Sequence, residues 1–121
     1  MSALKNYEYA FNALGDPTRR AIFEKLEKGP LSVVHIAEGL AVSRPAVSQH
    51  LKVLREAKLI SMEQQGTRSI YRIEQEGLIA MRAYLDRFWN EALANFKQLA
   101  EDMENQQTKN NGHGSDQSHL D

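Results

Sequence analysis

Arg44, Ser48, Gln49 and Lys52 carry the side-chain chemistry that reads DNA, at spacings that place them on one side of a helix. An arginine fork pairs with a guanine edge, a glutamine amide pairs with adenine, and serine and lysine reach phosphate oxygens. The stretch around them is built to be helical. Ser43 can accept a bond from an unpaired N–H of a first turn. Pro45 then falls in that turn, where a missing N–H costs nothing. Val47, Leu51 and Leu54 recur at helical spacing and form an apolar stripe on the side opposite Arg44, Ser48, Gln49, Lys52 and Arg55. Taken alone, such a helix is an ordinary amphipathic one facing solvent. Its neighbours in the chain decide in favour of a major groove.

Other chemistries find little support. The chain has no cysteine, which removes disulfides, thiolate metal sites and thiol redox sensing. It contains no Gly-rich phosphate loop and no nucleophile motif. His35 and His50 are the histidines of the expected folded part, and His50, beside Leu51, suits packing or hydrogen bonding better than base catalysis. His113 and His119 stand in a polar tail with no scaffold to hold a coordination geometry. The expectation is therefore a non-enzyme with no catalytic residues, no metal and no cofactor, whose DNA binding does not respond directly to soft metals or thiol oxidants.

The elements that must position the reading helix can be followed from the N-terminus. Leu4, Tyr7, Phe11 and Leu14 step by three and four, the seam of a short amphipathic helix closing at Gly15. Asp16-Pro17 reads as a cap and first helical residue. The helix it opens extends to about Lys28, with Ile22, Phe23 and Leu26 inward, and Gly29-Pro30 stops it. Ser32 reads as the cap of a short third helix that packs Val33, Ile36, Ala37 and Leu40. Gly39 and Ala41-Val42 form a turn of about four residues before the Ser43 helix, which makes a helix-turn-helix. The period then changes to two. Leu59 to Glu63 and Ser69 to Ile73 alternate around Gln64-Gln65-Gly66-Thr67-Arg68, a β-hairpin with Ile60, Met62, Tyr71 and Ile73 inward. A hairpin directly after the second helix is a wing. Gln65, Thr67 and Arg68 at its tip can lie along phosphate or enter a minor groove.

The last segment, about Glu76 to Glu104, repeats Leu78, Met81, Leu85, Phe88, Ala92, Phe96, Leu99 and Met103 at steps near three and four. A helix of this length spans ~40 Å at 1.5 Å per residue, too long for a core built by so short a chain. Its far end needs a second apolar surface, most simply a second copy. Leu85, Phe88, Trp89, Ala92 and Phe96 are the expected interface residues, with Leu4, Tyr7 and Phe11 of the first helix. From Asn105 the composition turns to Asn, Gln, Gly, His and Ser, giving a domain over residues 1–104 and a disordered polar tail over 105–121. The net charge of −1 is uneven: residues 1–75 carry 11 Lys and Arg against 8 Asp and Glu, and the remainder 4 against 8. A basic body with an acidic C-terminal part leaves room for a nucleic-acid partner. No apolar run spans a bilayer and the N-terminus lacks a signal core, so no membrane partner and a cytoplasmic location are expected.

Together these segments resemble the ArsR/SmtB family of winged helix-turn-helix repressors. The resemblance rests on Ala13-Leu14-Gly15-Asp16-Pro17-Thr18-Arg19-Arg20, on the run from Val42 to Arg55, and on Gly66-Thr67-Arg68 with Tyr71-Arg72-Ile73, and covers about residues 5 to 100. It implies a mainly α fold with a two-stranded β-wing and a long C-terminal dimerisation helix. It also implies a homodimer that binds a double-stranded operator and blocks transcription. Carried over by position, the contacts fall on Ser43, Arg44, Pro45, Ser48, Gln49 and Lys52, and on Thr67 and Arg68 of the wing. Metal-sensing members carry cysteines before the recognition helix, or Asp/His pairs on the last helix. Here the first region has His35 alone, and the last helix has Asp86 without a histidine, so the chain is similar to the subset without metal sites. No residue pattern identifies an effector. The competing expectation is a winged helix used for protein docking. It would require large apolar groups on the outer face of the Ser43 helix, where Arg44, Ser48, Gln49 and Lys52 stand instead.

Overall fold

The computed structural model describes residues 5–110. Leu4, His113 and His119 lie outside the described residues. Helix α1, Asn6–Leu14, opens with the Lys5 backbone N–H donating to the Glu8 carboxylate at 3.0 Å. Its buried positions are Ala10 and Ala13. Of the expected seam, Leu14 packs against the core, but the buried positions are small residues that let α1 approach its neighbours closely, and Tyr7 and Phe11 lie at the flank. There Tyr7 stacks on Tyr84 with centroids 4.4 Å apart, and Phe11 meets the same ring edge-on at 5.6 Å.

Helix α2, Pro17–Lys25, starts as read, with the Asp16 carboxylate accepting the Arg19 backbone N–H at 3.0 Å. It tightens into a 3-10 turn over Leu26–Lys28, which buries Leu26. Strand β1, Leu31–Ser32, follows, and was not legible as a strand. It is only two residues long, too short for an alternation to register. Ser32 is nominally the residue before α3, Val33–Ala37, but makes no side-chain cap bond. Its hydroxyl shares a hydrogen bond of 3.0 Å with Nδ1 of His35 instead. Leu40 is outside this helix, so the link to the next one is the six residues 38–43, longer than the expected four.

Helix α4, Arg44–Glu56, is capped by Ser43, whose hydroxyl accepts the Ala46 N–H at 3.2 Å. It buries Val47, Leu51 and Leu54. It ends in a paired turn: Lys58 N–H donates to Arg55 O at 3.0 Å and Leu59 N–H to Leu54 O at 3.1 Å. This is the Schellman pattern, with Leu54 and Leu59 both buried beneath it. Strand β2, Ile60–Gln65, and strand β3, Arg68–Ile73, are antiparallel, with Ile60 opposite Ile73 and Met62 opposite Tyr71, as the inward positions require. β1 pairs with the free edge of β3, Leu31 opposite Tyr71, giving the sheet order β1-β3-β2. The wing is thereby anchored to the body by a third strand. One core joins Ala10, Ala13, Ile22, Leu26, Ile36, Val47, Leu51, Leu54, Leu59 and Ile60.

Helix α5, Gln75–Asn110, runs six residues past the expected end at Glu104. Within the helix the Thr108 hydroxyl bonds back to Glu104 O at 3.0 Å. The rest of the expected tail, residues 111–121, lies outside the described residues. Packing divides the chain after Tyr84. The first turns of α5 belong to the compact unit with Leu78 and Met81 against the core. The described part of the second unit, residues 85–110, is helix carrying exposed apolar side chains, Phe88, Trp89, Leu93, Phe96, Leu99 and Met103 among them. Among the described residues no helix is long and apolar enough to cross a membrane.

Candidate nucleic-acid interface

The outer face of α4 follows from how its other face is held. Leu51 and Leu54 are fixed in the core with Val47, so the residues on the opposite side have no choice but solvent. Ser43, Arg44, Pro45, Ser48, Gln49, Lys52 and Arg55 are all exposed. Among the described residues, no hydrogen bond or ion pair engages the side chains of Arg44, Ser48, Gln49 or Lys52. The same holds for Gln65, Thr67 and Arg68 on the wing, which are exposed as well.

The wing's geometry is tighter than the sequence reading of a five-residue loop. The strands continue to Gln65 and Arg68, which face each other as the last pair, and only Gly66 and Thr67 form the turn. Gly66 has φ +64°, a conformation a glycine adopts without strain, and a glycine first in a two-residue loop matches the twist of a hairpin. Gln64, exposed on the wing, donates to Gly66 O at 3.3 Å and accepts from the Ser69 hydroxyl at 3.1 Å. Arg72 is held by Glu63 at 2.9 Å. The tip therefore presents Gln65, Thr67 and Arg68 on a frame in which Gln64, Ser69, Glu63 and Arg72 are engaged with one another and with the turn.

Three cations of α2 have a different task, which the sequence reading missed. Arg19 donates through Nε to Ala13 O at 2.7 Å and through Nη2 to Asn12 O at 3.2 Å. Arg20 donates to Leu14 O at 2.7 Å. These carbonyls lie at the C-terminal end of α1, the negative pole of its dipole, and Asn12 O also accepts the Gly15 N–H at 3.2 Å. At the other end of α2, Lys25 Nζ reaches the carbonyls of His35, Ile36 and Glu38, with 3.0 Å to Ile36 O. That is the C-terminal end of α3, the first helix of the helix-turn-helix. The guanidinium of Arg19 also approaches Nδ1 of His50 on α4, at 3.5 Å. Asp16 sits at this junction with its carboxyl below the ordinary range. The chief cause is the Arg19 backbone N–H, helped by the charges of Arg19 and His50. The available signal was a run of basic residues directly after an acidic cap, beside a helix that lacks cations of its own at its C-terminus.

Gly77 is a second missed position. A Cβ there would lie 2.4 Å from Ala57 O and 2.9 Å from Lys58 O, and the Gly77 N–H donates to Lys58 O at 2.8 Å. The start of α5 is thus pressed backbone to backbone against the turn that ends α4. Of the expected interface residues, Tyr7 and Phe11 use part of their ring surface on Tyr84 of the same chain. Leu85, Phe88, Trp89 and Phe96 are exposed and Ala92 is half-buried. Trp89 meets Phe88 edge-on at 6.1 Å. Among the described residues no three His, Asp or Glu side chains converge as a metal site would require.

Known proteins carry the same arrangement. Residues 14–63 match a helix-turn-helix domain family. An HTH-type transcriptional regulator of Mycobacterium tuberculosis is 52% identical over 99 residues, covering 82% of this chain and 92% of that protein. The arsenical resistance operon repressor of Bacillus subtilis is 38% identical over 74 residues, covering 60% of this chain and 70% of that one. Among solved structures, an ArsR-like transcriptional regulator from Rhodococcus sp. RHA1 superposes with a TM-score of 0.66 at 32% identity, over 78% of this chain and 92% of that chain.

Proposed function

The chain belongs to the ArsR/SmtB family of winged helix-turn-helix transcriptional regulators, and from that premise we propose that it is a cytoplasmic homodimeric repressor of an inverted-repeat operator. As a member of the family it is a DNA-binding regulator of transcription and not an enzyme. The observation that carries the finer reading is the division of α4. One side is locked in the core, while Arg44, Ser48, Gln49 and Lys52 on the other are exposed and uncommitted. Arg44 and Gln49 read base edges, and Lys52, with Thr67 and Arg68 of the wing, grips phosphate. Ser43 and Pro45 hold the helix N-terminus toward the backbone of the duplex, and Ser48 and Gln65 add donors.

Dimerisation is supported by the apolar face of α5. Leu85, Trp89, Ala92, Phe96, Leu99 and Met103 follow one another at steps of four and three, the spacing of a helix-pairing seam, and Phe96 is 70% exposed. A seam this apolar favours a second copy, and Tyr7 and Phe11 of the first helix are proposed to join the contact with it. Repression, as distinct from activation, is favoured by the Bacillus subtilis relative, named a repressor. A protein-docking role without DNA is disfavoured because the outer face of α4 shows no large apolar side chain.

A gel shift with DNA from upstream of this protein's own gene tests the reading. A retarded band competed by the same duplex but not by unrelated DNA is the expected result. Equal competition by both would remove sequence-specific repression.

A further inference from the structure

Resting on the reading of α5 as the pairing helix, we propose that two copies join antiparallel through a palindromic seam, with Ala92 on the two-fold axis. The apolar stripe of α5 reads Met81, Leu85, Phe88, Ala92, Phe96, Leu99, Met103. Successive members are four, three, four, four, three and four residues apart. Residue types and spacings are the same from either end. Counted outward from Ala92, Phe88 and Phe96 stand four residues away, Leu85 and Leu99 seven, and Met81 and Met103 eleven. The average step, about 3.67 residues, is close to the 3.6 of a straight helix, so the stripe keeps to one side over its whole length.

A two-fold axis demands self-complementarity: where residue i of one copy meets residue j of the other, j also meets i. Antiparallel pairing about Ala92 meets that demand with like on like. Phe88 of one copy comes level with Phe96 of the other, and Leu85 with Leu99. Each layer is matched in size, and the layer on the axis holds the smallest side chain. Ala92 is half-buried, whereas Phe88, Phe96 and Leu99 are exposed. Helix axes come closest where both sides present alanine, and the larger rings then pack on either side of the crossing. Trp89 and Leu93 have Asn95 and Glu91 as their mirror positions. They lie outside the palindrome, on one flank of it.

A parallel pair would also set like on like, and charge decides against it. Glu101, Asp102 and Glu104 cluster near the distal end of the stripe. In a parallel pair these carboxylates would lie beside the same three of the other copy, where like charges repel. In the antiparallel pair Asp102 stands ten residues beyond the axis. The two clusters are then ~30 Å apart, about three Debye lengths at 0.1 M salt. The helix dipoles also lie with unlike ends together.

The chain has no cysteine, so single-cysteine variants of the full protein report the arrangement. In a glutathione redox buffer, Ala92→Cys should form a disulfide with its own copy, since Cα atoms of the same residue approach within disulfide range only at the axis. Leu85→Cys and Leu99→Cys should each stay unlinked alone. Co-expressed, with a tag on one, they should give the mixed disulfide. Self-linking of either would overturn the antiparallel arrangement. A second readout leaves the seam untouched. A nitroxide on Asn105→Cys, at an exposed position thirteen residues from Ala92, should give a separation of ~40 Å by double electron–electron resonance, against ~25 Å or less for a parallel pair. The shorter distance would overturn the proposal even if a cysteine on the seam disturbed folding. Sedimentation of the unmodified protein as a monomer at micromolar concentration would remove the homodimer itself. A dimer in which Ala92→Cys stays unlinked would keep the homodimer and remove the palindromic seam.

Discussion

At the scale of single residues, six cations of the described residues show two different uses. Arg19, Arg20 and Lys25 are bound to carbonyl oxygens at helix ends. Arg44, Lys52 and Arg68 are exposed and unengaged. Charge count could not separate these groups, but geometry does. The second group leads to a prediction with two different signatures. Arg44→Ala or Gln49→Ala should cost about 1–3 kcal/mol on the preferred duplex and relax preference at one position. Lys52→Ala or Arg68→Ala should weaken all sequences alike and reduce the salt slope by about one unit. Binding isotherms at several salt concentrations on matched and mismatched duplexes distinguish them; uniform losses from all four variants would reject the assignment of base readers.

Gly77 gives a prediction in which two effects oppose each other. Helix propensity alone favours Gly77→Ala by about 1 kcal/mol. The added Cβ, however, would meet Ala57 O at 2.4 Å, and relieving such a clash costs about 3 kcal/mol, the upper end for overpacking. Steric cost should win. Gly77→Ala is expected to lower the denaturant midpoint, and an unchanged or raised midpoint would mean that α5 does not approach the end of α4 this closely.

At the scale of elements, α2 acts as a strap between two helix ends. Its start neutralises the C-terminus of α1 and its end neutralises that of α3, which are then held at a fixed separation. The five-residue α3 is too short to be stable by itself, so this external cap matters more to it than to a long helix. Lys25→Met keeps most of the stem and removes the charge. It should destabilise the fold by about 1–2 kcal/mol, the range for a cation at a partly buried helix C-terminus. Urea unfolding measures it, and a change under a few tenths of a kcal/mol would show that water replaces the ammonium without loss. The wing follows the same logic: β1 ties its inner strand to the body, so its tip is carried on a three-stranded sheet and not on an isolated hairpin, which is marginally stable in water.

At the scale of the whole molecule, the proposed dimer converts one short reading helix into a long operator. Two copies related by a two-fold axis should present their recognition helices about 34 Å apart, one turn of DNA, and so select an inverted repeat. Leu85→Glu puts a charge on the seam and should leave a monomer in sedimentation at micromolar concentration, with operator affinity lost far more than non-specific affinity. A Leu85→Glu protein that sediments as a dimer would place the interface elsewhere.

What was legible in the sequence was what repeats or terminates locally. The stripe Val47, Leu51, Leu54 needs only the helical period, the Ser43 and Asp16 caps need only a short polar side chain before a first turn, and the wing needs only alternation around a glycine. From these the fold class and the outward residues of α4 followed, because fixing one face of a helix fixes the other. The tertiary structure decided whatever depends on a partner distant in sequence. β1 exists because β3 has an edge to offer, not because two residues prefer to be extended. Ala10 and Ala13 face the core, where Tyr7 and Phe11 were expected, because close helix approach selects small side chains. Arg19 meets His50, 31 positions away, and Gly77 lies against Ala57, because such pairings arise only once the chain has folded back on itself. Directional contacts between non-neighbours leave no period in a sequence.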